Sequence, residues 1–216
     1  MRHQLPVSQY FSLMLLAAFP GLCTSTSLLR IHVYDYVTIS PALITFGETE
    51  AARLFAPAGI RIQWINCRMG AQSCPDEWIP GDLRLNITRE NMPRLSPKAF
   101  GATIWHGRDV SATILYDRVA AARRGGATFT ILGKTITHEI GHLLLGPDSH
   151  SATGIMRPLW NTSDFDFEHE PLWFFTSTQR CAIRSEVAQH SAAALSAAAA
   201  LHPNDSAGPV SRMSPR

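Results

Sequence analysis

The stretch HEIGHLLLGPDSHSATGIM, residues 138–156, decides how the rest of the chain is read. His138 and His142 stand four apart, so on a helix both imidazoles leave one face and can reach a single ion. Glu139 sits beside them as a carboxylate that binds no metal and can take a proton from an activated water. Leu143, Leu144 and Leu145 call for partial burial of that helix, Gly146 suits its end, and Pro147 prevents its continuation. A catalytic zinc takes three protein ligands and keeps a fourth position for water, so two histidines on one turn make an incomplete site. The third ligand has to be sought downstream.

Working outward, the residues before this helix alternate between strand and helix signals. LLRIHVYDY (28–36) mixes β-branched and aromatic residues and reads as a strand, with His32 an ordinary strand residue. Ser40 is a candidate N-cap with Pro41 at the first helical position, and the helix so begun is stopped by Pro57 and Gly59. IRIQWINC forms a second strand. GDLRLNIT (81–88) alternates strictly, with Leu83, Leu85 and Ile87 on one face of a third. FGATIW gives a fourth, HGRD a turn carrying an exposed His106, and SATILYDRV (111–119) a fifth strand or sheet edge. Beyond the motif, TSTQRCAIRSEV closes the domain as a helix, with Thr176 and Gln179 spaced as a capping box and Cys181 expected to be buried on it. SAAALSAAAAL prolongs that helix, and HPNDSAGPVSRMSPR reads as a disordered tail.

With these residues in place, the chain resembles the metzincin superfamily of zinc endopeptidases, whose motif HExxHxxGxxH precedes a methionine-bearing turn. The resemblance is local, strongest over His138–Met156. It implies an α+β zincin-like catalytic domain with a mixed twisted sheet of about five strands, an active-site helix and a C-terminal helix. It makes His138 and His142 zinc ligands, Glu139 the general base, Gly146 the turn and Met156 the methionine turn. The pair His150–Ser151 is similar to the matrixin branch, where serine follows the third histidine. The spacing departs from the family pattern, which places glycine at 145 and histidine at 148, where this chain has Leu145 and Asp148. His150 is the expected third ligand, reached by a loop two residues longer, with Asp148 as a turn residue or as an acceptor for a ligand's free N–H. Asp148 itself, or Glu168 and Glu170 in the manner of the gluzincins, remain the other donors. Some metzincins carry a tyrosine two residues past the methionine; here Pro158 stands there, so no oxyanion-stabilising side chain is named. Trp160, Trp173 and the phenylalanines of DFDFEHEPLWFF are read as core packing, with a pocket wall as the alternative.

The 216 residues suit one domain, and 19 Lys plus Arg against 17 Asp plus Glu, scattered along the chain, form no nucleic-acid stripe. MRHQ, the twelve apolar residues FSLMLLAAFPGL and the small residues CTSTS read as an export signal too short to span a bilayer. Leu22 stands where a lipidation signal at Cys23 would carry a small residue. Cys67 and Cys74 flank a short Gly-containing loop and are a candidate disulfide in an oxidising compartment. The expected organisation is a signal peptide over 1–27, a zinc metalloprotease-like catalytic domain over 28–187, with little room for a prosegment before it, and an Ala-rich extension and tail over 188–216. The expected activity is hydrolysis of a peptide or protein substrate by a secreted, monomeric, Zn2+-dependent endopeptidase without stable membrane insertion. The rival class is a zinc-containing binding or structural protein with little turnover. Substrate is expected to lie along an edge strand, with SATILYDRV its candidate.

Overall fold

The computed structural model describes residues 26–67, 74, 77–89, 92, 95–106, 109–122, 128–160, 162–165 and 173–201. The expected signal peptide, Cys23, Glu168, Glu170 and the 202–216 tail lie outside them. The chain is an α+β fold built on a five-stranded mixed sheet. β1 (Ser27–Asp35), β2 (Ile60–Cys67), β3 (Leu83–Thr88), β4 (Gly101–His106) and β5 (Asp109–Leu115) are ordered β2-β1-β3-β5-β4. All neighbours pair parallel except β4, which runs antiparallel to β5.

Register puts Ile31 and Val33 of β1 in line with Leu83 and Leu85 of β3, and Leu85 and Ile87 in line with Ala112 and Ile114 of β5. These apolar residues therefore share one face, which with Leu29 forms the core beneath the helices. The helix α1 (Pro41–Phe55) crosses from β1 to β2 and begins as its sequence dictates, with Ser40 Oγ accepting the Leu43 N–H at 3.3 Å and Pro41 in the first turn. The turn that leads into it is held by Asp35, whose carboxylate accepts the backbone N–H groups of Val37, Thr38 and Ile39, each at 2.9 Å. Packed against α1 is α3 (Thr128–Leu145). A Cβ on Gly47 would stand 2.8 Å from Leu132 Cδ2, and one on Gly133 2.5 Å from Glu50 Cβ, so the two helices approach more closely than any side chain at either position allows.

The closing helix α4 (Ser177–Leu201) is capped reciprocally: Thr176 N–H donates to Gln179 Oε1 at 3.1 Å and Gln179 N–H to Thr176 Oγ1 at 3.3 Å. It runs unbroken through 187–188, yet Val187 is its last buried residue among those described. The Ala-rich extension is thus helical chain outside the core. Among the described residues no helix is long and apolar enough to cross a membrane.

Two expectations are corrected. SATILYDRV is neither a single strand nor the sheet edge: β5 ends at Leu115, Tyr116–Ala121 forms a short helix α2, and β5 is flanked by β3 and β4. Among the described residues the edge on that side is β4, because the antiparallel hairpin places it outermost. Cys181 is exposed. Ile183 and Val187 carry the buried stripe of α4, and a residue two before Ile183 points away from it on a helix.

Candidate metal centre

Helix α3 delivers His138 and His142 one turn apart, both buried, and ends at Gly146. The Gly146 N–H reaches back to the His142 carbonyl at 2.9 Å with a φ of 94°, a left-handed conformation that favours glycine. Pro147 and Asp148 form an exposed turn, and the chain comes back to the helix at His150. There the Nε2 atoms converge: His142 Nε2 lies 3.1 Å from that of His138 and 3.2 Å from that of His150. The three ligand atoms all lie within 4.8 Å of one another, and Asp148 has no part in the group.

The donor set fits zinc. Tetrahedral ligands at about 2.05 Å from the ion are separated by about 3.3 Å, within a few tenths of the two separations found. The proton positions agree. The Nδ1–H of His138 donates to the Ile155 carbonyl at 2.8 Å. Ser149 Oγ gives its one proton to the Gly146 carbonyl at 2.7 Å, so it accepts from His142 Nδ1–H at 3.0 Å. Both rings thereby turn an unprotonated Nε2 inward, the tautomer a metal requires. Burial favours the neutral ring in each case, pushing His138 down to about 3 and His142 below its ordinary value.

His150 is the exposed member, and its loop is tied from several sides. Gln179 uses its side-chain NH2 to donate to Ser149 O at 3.1 Å and Ser151 Oγ at 3.2 Å, the residues on either side of His150. Ser151 N–H bonds the Met156 carbonyl, and Ile155 N–H bonds that of Phe174. Met156 is wholly buried beneath the helix, where a Cβ on Gly141 would come within 2.6 Å of its Sδ. Glycine at 141 is what admits the methionine there.

Glu139 is 5% exposed and lies against the edge strand rather than among the histidines. Thr103 Oγ1 stands 3.1 Å from its Oε2 and 3.1 Å from its carbonyl oxygen, a donor shared between two acceptors. A Cβ on Gly101 would meet Glu139 Cγ at 2.7 Å and Oε1 at 2.9 Å. Burial raises the Glu139 carboxyl to about 8, against the opposing pull of the Thr103 hydrogen bond. The carboxyl and the three histidines line one cleft of about 310 Å3, walled by Phe100, Trp105, Pro147, Pro158 and Trp160. Trp160 stands edge-on to His138 with ring centroids 5.1 Å apart, so it is a pocket wall, whereas Trp173 is wholly buried. Pro158 offers the cleft no donor.

Sequence reading named the three histidines, Glu139, Gly146 and Met156, and did not name Thr103, Gly101, Ser149 or the loop-holding role of Gln179. His106 lies exposed at the end of β4, opposite Asp109. Cys67 and Cys74 are joined by a disulfide with Cα atoms 4.6 Å apart.

No family model matches the sequence, and no curated protein does. Among solved structures, that of myroilysin aligns with 72% of this chain and 71% of its own at 13% identity and a TM-score of 0.34. The chain is an α+β fold whose His138, His142 and His150 could hold a metal ion.

Proposed function

We propose that the protein is a secreted zinc-dependent endopeptidase of metzincin-like design, with His138, His142 and His150 as the zinc ligands and Glu139 as general base. The observation that carries this reading is the meeting of a three-imidazole donor set with a buried carboxyl in one cleft beside a free sheet edge. A purely structural zinc needs no such carboxyl. When bound, zinc supplies Lewis acidity, which polarises a carbonyl and lets a water lose its proton near neutral pH.

The remaining work belongs to the chain. The β4 edge offers backbone groups with which an extended peptide pairs as an added strand, laying a peptide carbonyl over the cleft. The positive charge of a cation held by the three histidines would favour the ionised carboxyl, and Glu139 would then accept the proton of the attacking water and pass it to the leaving amine. Thr103 holds one oxygen of that carboxylate, and the absence of a side chain at Gly101 gives the other the room it needs. The apolar walls exclude bulk water, and Trp160 bounds the space for a substrate side chain. Export agrees with the Cys67–Cys74 disulfide, which persists in oxidising compartments.

The test uses protein lacking the first 27 residues or so, which is expected to hold one zinc and to cleave an unstructured protein such as casein. Glu139→Gln removes the base and leaves the ligands, so it should keep the zinc and lose cleavage by at least a hundredfold, the low end of what general-base catalysis contributes at about 10²–10⁴. Wild-type cleavage by that variant would refute the enzyme reading. Zinc binding with no cleavage by either protein would leave a zinc-holding binding protein.

A further inference from the structure

The sheet face opposite α1 and α3 carries a second cluster that this chemistry does not use. His32, in the middle of β1, has no exposed surface at all. Its Nε2 bonds Asp82 Oδ2 at 2.7 Å, and the Asp82 side chain is 2% exposed and also paired with Arg30 at 3.1 Å. Trp78 stacks on the imidazole with centroids 4.3 Å apart and planes inclined by 10°. The other nitrogen, Nδ1, faces Cys67 Sγ at 3.9 Å, and Nδ1 with the sulfurs of Cys67 and Cys74 forms a three-donor group within 4.8 Å.

A disulfide sulfur has no proton to give, and a carboxylate only accepts. In the neutral ring Asp82 therefore holds the proton on Nε2, and the Nδ1 lone pair points at sulfur. A carboxylate that orients one ring nitrogen while the other faces two cysteines is the arrangement that precedes a metal. We propose that Cys67, Cys74 and His32 form a redox-gated metal site, closed while the disulfide stands and open to zinc or a similar thiophilic cation once it is reduced. The disulfide takes two electrons and two protons from an external dithiol, which closes to its own disulfide. The cation then displaces the two thiol protons and binds both thiolates and Nδ1.

Little has to move. A tetrahedral zinc separates a sulfur and a nitrogen ligand by about 3.6 Å and two sulfurs by about 3.8 Å. The ring is already held by Asp82 and Trp78, and Cys67 is fixed at the end of β2. The adjustment falls to Cys74, which is partly exposed and therefore open to a reductant. Tyr34 Oη, 3.4 Å from Cys74 Sγ, stands ready to donate to a thiolate. Thiolates select zinc or copper(I) over hard cations.

Cobalt(II) tests this without interference from the His138 group, because only thiolate ligands give an intense near-ultraviolet charge-transfer band. The full chain is reduced with a dithiol, freed of it under anaerobic conditions and titrated with Co2+, alongside unreduced protein. The band is expected in the reduced protein alone, with one extra equivalent bound. Cys67 and Cys74 should become protected from a thiol reagent while the exposed Cys181 stays reactive. Asp82→Asn should weaken the thiolate-bound equivalent by about 10–100-fold, as loss of an outer partner does. Absence of the band, or unchanged thiol reactivity with metal added, overturns the proposal. So does a band of wild-type affinity in both His32→Gln and Asp82→Asn, which would mean that the two cysteines bind metal without the built site.

Discussion

Glu48 faces the core from α1 at 7% exposure, and burial raises its carboxyl to about 7 from 4.5 against a hydrogen bond with Asn66. Its Oε1 is buried without a hydrogen-bond partner among the described residues. A raised acid favours its protonated form in the folded state. Below pH 4.5 the carboxyl is protonated in both states and costs nothing. Between pH 4.5 and 7 the unfolded chain releases the proton and the folded chain keeps it, so stability falls as pH rises, and above pH 7 the loss is complete. Moving the carboxyl from 4.5 to about 7 is, at 1.36 kcal/mol per pH unit, a loss of about 3 kcal/mol. Glu48→Gln keeps the shape and a partner for Asn66 but cannot ionise. The variant should match wild type at pH 4, apart from a constant offset for its amide, and gain on it through the window to about 3 kcal/mol at pH 8. Urea unfolding from pH 4 to 8 with chelator throughout gives the comparison, since the histidines titrate alike in both proteins and cancel in the difference. A difference that does not change with pH would refute the reasoning. One that moved against the variant as pH rises would reverse its sign.

Three further outcomes are expected. His150→Ala should lose its zinc on dialysis and Asp148→Ala should keep it; the opposite pattern, read by metal analysis, would move the third ligand to the aspartate. Gln179→Glu retains a side-chain oxygen to cap α4 but loses both donations to the His150 loop, so zinc affinity should fall about tenfold, the lower end of outer-partner effects, with the helix content unchanged by circular dichroism. Gly101→Ala forces a methyl into Glu139 and the Thr113 carbonyl, and should cost about 1–3 kcal/mol of stability while lowering cleavage at intact zinc content; full activity would mean that β4 does not fix the carboxylate.

What the sequence determined by itself is whatever one segment can decide alone. Ser40 with Pro41 and Thr176 with Gln179 mark helix starts because caps are satisfied within four residues, and Leu83, Leu85 and Ile87 mark a strand because their period is local. His138 and His142 share a face for the same reason, and Gly146 ends the helix through its own backbone freedom. Tertiary structure decided what depends on neighbours distant in the chain. The order of strands is fixed by pairing, so the alternation in SATIL could not tell an interior strand from the edge that belongs to β4. The face of α4 that is buried is chosen by the partner it packs on, which left Cys181 outside. Thr103 reaches Glu139 across 36 positions and Asp82 reaches His32 across 50. Such polar pairs leave no periodic trace, because each needs one partner at one distance, and only the folded backbone sets that distance.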